Sequence, residues 1–254
     1  MAREGSSIDK TLAVLEALAE HQRVTDIAAA TGVSKSTAHR ILQALVLWGF
    51  ARPDGTGSYE PGPRILTLAG RVMFRFDPAR QSSGTLRALC ESTGFTTHFA
   101  IRSLDEAVYV DKQEGRRPFQ MLSRVGMGIA LHTTAIGKAI LAQLSDDEVL
   151  AICRRTGLPR RTPNTLTSEE DLLTHLARVR AVGYAVDDEE NEPGIRCVGA
   201  PVFDHTGQVL GGISISTLTI VSDMAGLEQR APEVIAAARD VSAALGADTP
   251  MVRA

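Results

Sequence analysis

The sequence predicts an α+β protein in two parts. An N-terminal winged helix-turn-helix domain leads through a linker helix to a larger C-terminal domain of mixed helices and strands. Two features predict this. Residues 24–50, VTDIAAATGVSKSTAHRILQALVLWGF, read as two short helices around a tight turn, and a short hairpin follows. From about residue 80 helical and strand patterns mix without strict βαβ alternation, which favours an α+β sheet over a doubly wound one. A chain of 254 residues is long enough for two domains, each with its own core.

Residues 8–19 form the first helix, with Ile8, Leu12, Leu15 and Ala19 on one face. Asp26–Thr31 is the second, capped by Thr25, with Ile27 and Ala30 turned inward. Gly32 permits the positive φ that ends it. The third helix, Ser34–Leu47, starts on a good N-cap, Ser34. At about 100° per residue, Ser36, His39, Arg40 and Gln43 share one stripe, and Ala38, Ile41, Leu42 and Leu45 share the opposite side. Trp48 would close the apolar side from the helix end. Phe50–Arg52 and Ser58–Glu60 flank the turn Asp54-Gly55-Thr56-Gly57 as a small hairpin, the wing. In the following segment Pro63 suits a helix start, Ile65, Leu68, Ala69, Val72 and Phe76 share a face, and Asp77-Pro78 ends the helix. The domain boundaries are therefore 1–62 for the winged helix, 63–79 for the linker helix and 80–254 for the rest.

Beyond it the pattern predicts a helix at Arg80–Ser92 and strands at Thr96–Ile101, Ala107–Lys112 and Phe119–Ser123. A Gly-rich loop then runs into a helix near Thr134–Gln143. Ser145 with Glu148, and Thr167 with Glu170, have capping-box spacing for the next two helices. Strands resume at Tyr184–Asp187, Ile195–Phe203 and Val209–Ser216, the last two joined by the turn Asp204–Gly207. A final helix reaches Leu245, with Gly246 as its stop.

Composition excludes several classes. No run of about 18 apolar residues is present to span a membrane, and the first ten residues lack an apolar signal region. Three cysteines, Cys90, Cys153 and Cys197, are odd in number, far apart and without a CxxC pair. They read as reduced thiols of a cytoplasmic protein, not as a disulfide framework or a zinc site. The net charge is −3, with +1 on residues 1–72 and −4 on the remainder. A single copy thus brings little non-specific attraction to nucleic acid, and affinity for DNA would need paired copies and local placement of charge.

The polar stripe of the third helix suits a major groove. Arg40 can present its fork to guanine, Gln43 can pair with adenine, and Ser36 and Thr37 can take base edges or phosphates. Lys35 sits near the helix N-terminus, where phosphate is favoured. Arg52 and Tyr59 flank the wing and can touch backbone or minor groove. Thr25, Ser34, Lys35, Ser36, Thr37, His39, Arg40, Gln43, Arg52 and Tyr59 are therefore the candidate DNA contacts. An ordinary amphipathic helix with a solvated face explains any one of these residues; the succession of short helix, Gly turn, capped helix and Gly49 stop points to DNA. For Tyr59, plain strand surface explains the residue equally well.

The C-terminal part offers a pocket. Thr133, Thr134, Ala135, Ile136 and Gly137 lie at a helix start, where N–H groups favour a carboxylate and small residues admit a ligand. Ser214 and Ser216 are two apart on a strand and face one side, with Cys197 on a neighbouring strand. Asp187 opens the acidic run 187–192, of which Asp188–Glu192 read as a solvated loop. Lys138 and His132 can orient an anion, but capping or pairing within the fold is the preferred reading. Two serines on a strand are also consistent with surface hydroxyls.

Several segments in order carry a family resemblance: VTDIAAATGVSKSTAHRILQALVLWGF, then LHTTAIGKAILAQL at 131–144, GYAVDDEENEPGIRCVGAPVFD at 183–204 and GGISIS at 211–216. Together, from Ile8 to about Leu245, they resemble the isocitrate lyase regulator (IclR) family of bacterial transcription factors. The resemblance implies a winged helix, a linker helix and a GAF-like effector-binding domain. It implies dimers formed through the DNA-binding ends, often paired as dimers of dimers, on a double-stranded and palindromic operator. It also implies a small organic acid as effector and no other cofactor, metal or membrane. Effector contacts carried over are Ala135 and Ile136 at the helix start, Asp187, Cys197, Ser214 and Ser216 as polar contacts, and Met121, Ile129 and Ile195 as apolar walls. Some members have Gly-Ala where this chain has Ala135-Ile136, so Ile136 is expected to narrow or reshape the pocket.

The expected function is thus a ligand-responsive regulator, most simply a repressor, associated with the nucleoid when bound to DNA. Two rivals remain. An enzyme would use Cys197 as nucleophile with His98 or His132 as base, although no GxSxG-type elbow is present. A constitutive architectural protein would bind DNA with no ligand, and would not need so large a C-terminal domain.

Overall fold

The computed structural model describes residues 6–73, 77–115 and 121–247. The chain forms two compact units, residues 1–76 and 77–254.

In the first unit, helix α1 (Ser7–Ala17) starts on a capping box between Ser6 and Asp9. Helix α2 (Val24–Thr31) ends at Gly32 with φ 68°, and α3 (Lys35–Leu47) starts on Ser34, whose hydroxyl accepts the Thr37 N–H at 3.2 Å. Gly32 supplies the left-handed turn that an ordinary side chain would resist. Strands β1 (Ala51–Pro53) and β2 (Tyr59–Pro61) pair antiparallel as the wing, and α4 (Pro63–Met73) follows. The core is built from Val14, Leu18, Val24, Ile27, Ala28, Ala38, Ile41, Leu42, Leu45, Ala51 and Tyr59.

Four details of this unit differ from the sequence-based expectation. Helix α1 buries Val14 and Leu18 and leaves Ile8 and Leu12 exposed, because only the stripe facing α2 and α3 finds partners. Helix α2 begins earlier than a Thr25 cap would allow: Arg23 is the N-cap, and the Thr25 hydroxyl bonds the Asp26 carboxylate at 3.1 Å. Ala28, not Ala30, is its buried alanine. Trp48 is 66% exposed and closes nothing, because the chain turns away there and Phe50 packs on the core instead.

The second unit opens with α5 (Pro78–Thr93), capped by Asp77. It continues through strands β3 (Thr96–Ser103), β4 (Glu106–Gln113) and β5 (Gly128–Ala130) and helices α6 (Ala135–Leu141), α7 (Asp146–Thr156) and α8 (Glu169–Val182). Strands β6 (Ala185–Asp188), β7 (Ile195–Phe203) and β8 (Val209–Leu218) precede α9 (Met224–Glu228) and α10 (Ala231–Ala244). The strands form one antiparallel sheet in the order β5-β4-β3-β8-β7-β6. Helices α5 and α10 cover one face, where the Thr97 hydroxyl donates to the Leu86 carbonyl at 3.1 Å and Ser242 accepts the Phe203 N–H at 3.0 Å. Helix α6 lies on the opposite face. A Cβ at Gly199 would sit 3.0 Å from the Ala135 carbonyl carbon, and one at Gly212 would sit 3.2 Å from Ile136 Cγ2, so those glycines let the helix approach.

The capping box at Ser145 and Glu148 is present. The one expected at Thr167 and Glu170 is displaced by one residue: Ser168 caps α8 and accepts the Asp171 N–H at 3.1 Å. Strand β5 lies where the glycines 126 and 128 had read as loop, and pairing with β4 overrides the glycine content. Residues 119 and 120 of the expected strand Phe119–Ser123 lie outside the described residues, as does Phe76 of the linker face; Met121–Ser123 are not in a strand.

Candidate functional site

The polar face of α3 expected to read DNA is assembled as the helical spacing predicts. Ser36, His39, Arg40 and Gln43 are exposed along α3, with Ser34 and Lys35 at its start. Ser34 is occupied locally, its hydroxyl 2.8 Å from that of Thr37 and 3.1 Å from that of Ser36. Arg52 on the wing is held by Glu60 on the opposite strand through Nε and Nη2, at 3.0 and 2.7 Å. Tyr59 departs from the expectation. It is 6% exposed, sits in the core, and its hydroxyl accepts from Gln43 Nε2 at 2.7 Å. It is therefore not a DNA contact; the short wing strand places it against the apolar side of α3.

The second unit carries a buried polar row on the sheet face that α6 covers. Antiparallel register places Asp187 opposite Cys197, Cys197 opposite Ser216, and Ser214 between Gly199 and His98. Paired residues share a face, so the row crosses four strands. Asp187 is 2% exposed and accepts the backbone N–H groups of Glu190 and Asn191 at 2.8 and 3.3 Å. Burial, only partly offset by Lys138, pushes its carboxyl up to about 7. Burial first, and the neighbouring Asp187 charge second, push the Cys197 thiol well up. Ser214 and Ser216 are buried, so the surface-hydroxyl alternative is overturned. His98 bridges the Ser216 and Ser123 hydroxyls at 3.4 and 2.8 Å, its ring 4.8 Å from that of Tyr109. Burial and the Lys112 charge lower it to about 3, so it is a neutral imidazole.

Beneath the row, Lys138 of α6 reaches both carboxylate oxygens of Glu190 and is 0% exposed. Glu190 is buried too, so the reading of Asp188–Glu192 as a solvated loop fails at that residue. His132 bonds the Pro159 carbonyl at 3.2 Å, so both basic residues work within the fold. The turn after β6 is stitched further: Asn191 accepts from Thr133 at 2.9 Å, and the Glu190 carbonyl accepts from Thr165 at 2.7 Å.

The apolar candidates divide. Met121 lines a small cleft with Thr96, Gly115 and Ser216. Ile129 pairs with Ala107, two residues from Tyr109, which puts it on the pocket face. Ile195 is two residues from Cys197 on β7, also on that face. Ile136 has its Cγ2 nearest Gly212, two residues from Ser214 on the sheet face that α6 covers, and it belongs to the same core cluster as Ile129. Ala135 is buried beside it.

The model of the bacterial transcriptional regulator IclR C-terminal domain matches residues 71–243, and the IclR helix-turn-helix model matches residues 7–55. The chain belongs to the IclR family. It is 37% identical over 245 residues to the HTH-type transcriptional regulator XynR of Escherichia coli K12, covering 94% of this chain and 97% of the relative. It is 30% identical over 251 residues to the transcriptional repressor AllR of the same organism, covering 97% and 93%. The crystal structure of the Thermotoga maritima IclR superposes with a TM-score of 0.65 at 33% identity, covering 94% of this chain and 98% of that one. This IclR-family chain is thus a DNA-binding transcriptional regulator and not an enzyme. The rival nucleophile fails on chemistry as well, since a thiol pushed up by burial supplies no thiolate.

Sequence reasoning missed Glu190, Ser123, Tyr109 and Asn191. Strand alternation would have put Tyr109 on a face with Ala107, but only the register across β3 and β4, with its irregularity at Phe99/Ala100, brings Tyr109 against His98. Nothing local marks Glu190 among its acidic neighbours.

Proposed function

We propose that this chain is a repressor that binds a palindromic operator as a homodimer or dimer of dimers in the bacterial cytoplasm, and that a small organic acid in the second unit controls that binding. The observation that carries the ligand reading is the polar row of buried Asp187, Ser214 and Ser216 and half-buried Cys197 beside Ala135, with Met121, Ile129 and Ile195 as apolar neighbours. Buried polar groups are costly unless satisfied, and three on one face, with the half-buried Cys197 thiol among them, provide a ligand's hydrogen-bond partners. A carboxyl that titrates near about 7 is protonated in a large share of molecules at neutral pH and can donate to a ligand carboxylate. Exposed Ile8, Leu12, Leu47, Trp48, Leu66 and Leu68 in the first unit supply apolar surface for a second copy. Pairing of copies offsets the small positive charge of residues 1–72 by doubling the phosphate contacts.

A thermal-shift screen of small carboxylates against their neutral amides tests the ligand. A carboxylate that raises the melting temperature and changes operator affinity supports the reading. Stabilisation only by the amides would sink the acid. Ser214→Ala should reduce the response while leaving DNA binding by the unliganded protein intact; loss of that binding would assign Ser214 a structural role instead.

A further inference from the structure

Tyr59 is buried on the wing, yet its hydroxyl meets a residue of the reading face. Gln43 is exposed on α3, in line with Ser36, His39 and Arg40, and its Nε2 donates to the Tyr59 hydroxyl at 2.7 Å. His39 stands edge-on to the same tyrosine ring at 6.4 Å between centroids. A glutamine amide carries one acceptor and two donors. With one N–H given to Tyr59, Oε1 and the second N–H remain for the groove. That pair complements adenine, which offers the N6 amino donor and the N7 acceptor. Guanine offers two acceptors at the same edge and is mismatched. An amide turned over, with Oε1 accepting the Tyr59 O–H, would instead leave its NH2 group for acceptor-bearing bases.

We propose that Tyr59 is a positioning residue for base reading: its buried hydroxyl holds the Gln43 amide at a fixed place on the reading face, and with Nε2 given to Tyr59 the remaining Oε1 and N–H match adenine at one position of each half-site. The proposal rests on the reading that α3 enters the major groove. It assigns the wing a second job, since β2 carries the group that sets the specificity of α3. Tyr59→Phe removes a single oxygen from a packed ring and leaves the apolar contacts of Val24, Leu42 and their neighbours in place.

The test is selection of binding sites from a random DNA library by the full-length protein, by Tyr59→Phe and by Gln43→Ala. Affinities for the selected site and its single-base variants are then measured at several salt concentrations. Wild type should select adenine at one position per half-site. Both variants should lose about tenfold of that discrimination, within the range of a bidentate pair, at that position alone. The preferences elsewhere, the salt slope and the melting temperature of Tyr59→Phe should match wild type. Three results would overturn the proposal: an unchanged adenine preference in Tyr59→Phe, an equal loss of affinity for every sequence in Tyr59→Phe, or a guanine or thymine preference at the position that Gln43→Ala relaxes. If Gln43→Ala and Arg40→Ala both keep every wild-type preference, the helix-in-groove reading itself fails and the proposal falls with it. An unchanged preference in Tyr59→Phe alone overturns the proposal and leaves that reading standing.

Discussion

Asp187→Asn should remove one component of the pH dependence of stability. Asparagine can still accept the Glu190 and Asn191 N–H groups that Asp187 accepts at 2.8 and 3.3 Å. The substitution therefore removes the titration with little change in geometry. In the folded chain burial raises the carboxyl from 3.8 to about 7, Lys138 on α6 pulls it down, and Glu190 on the following turn pushes it back up. Cys197 on β7 and Tyr109 on β4 also face it and stay neutral, both held up by burial. A raised carboxyl binds a proton in the folded state that the unfolded state has already released. Stability from this group is therefore full below the unfolded value and falls as pH rises toward the folded one. With those two values, raising the pH from about 5 to about 8 costs on the order of 2–3 kcal/mol. The assay is urea denaturation of both proteins across that range, with hydrogen exchange of the β6–β8 strands reporting the second unit by itself. All other titrating groups are shared, so the difference between the two proteins isolates Asp187. Wild type should lose on the order of 2–3 kcal/mol relative to the variant over that range. A difference that does not vary with pH would show that Asp187 is ionised throughout. The same flat difference is expected if Lys138 outweighs burial and holds the folded carboxyl below 3.8, and it would refute the reasoning.

Arg40→Ala should weaken specific operator binding by about 1–3 kcal/mol if Arg40 reads a base bidentately, and unchanged anisotropy titrations would remove it from the reading face. Lys138→Met should cost about 3–5 kcal/mol by stranding the Glu190 carboxylate beside Asp187, whereas Lys138→Met with Glu190→Leu should recover most of it, as measured by urea midpoints. Gly137→Ala should destabilise the second unit by at least about 1–3 kcal/mol, because its Cβ would stand 2.4 Å from the Leu131 Cα and carbonyl oxygen; an unchanged melting temperature would contradict that packing.

The helix-turn-helix was legible because its signals are local. Ser34 as cap, Gly32 as turn and the apolar side of α3 all depend on residues within one or two turns of each other. Strand alternation likewise predicted that Ser214 and Ser216 share a side, and the register puts Cys197 and Asp187 on it. What was not legible depends on partners distant in the chain. Whether Ile8 and Leu12 or Val14 and Leu18 are buried depends on where α2 and α3 lie, since both pairs suit a helical stripe. Ile136 could not be assigned to pocket or core until Gly212 on β8 was known to stand against it. Lys138 and Glu190 are 52 residues apart, and the immediate neighbours of Glu190 in the run, Glu189 and Asn191, are less buried.

Those distant partners also explain why the Asp187 turn is a suitable place for a ligand to act. Glu189 holds a positive φ of 58° without being glycine, a conformation that persists only where surrounding contacts over-determine it. The contacts come from three directions. Glu189 itself accepts the Gly194 N–H at 2.8 Å, Lys138 holds Glu190 from α6, and Thr162 and Thr165 hold the backbone from the segment between α7 and α8. Asp187 accepts from two N–H groups of this same turn. A ligand that changes the charge or hydrogen bonding of Asp187 therefore acts on a segment joined to α6 and to the α7–α8 connection at once. It can shift an equilibrium only as far as its affinity differs between the two arrangements. A strained turn with ion-paired and hydrogen-bonded anchors supplies such a difference, because rearranging it breaks several contacts together, whereas an apolar pocket wall would relax gradually.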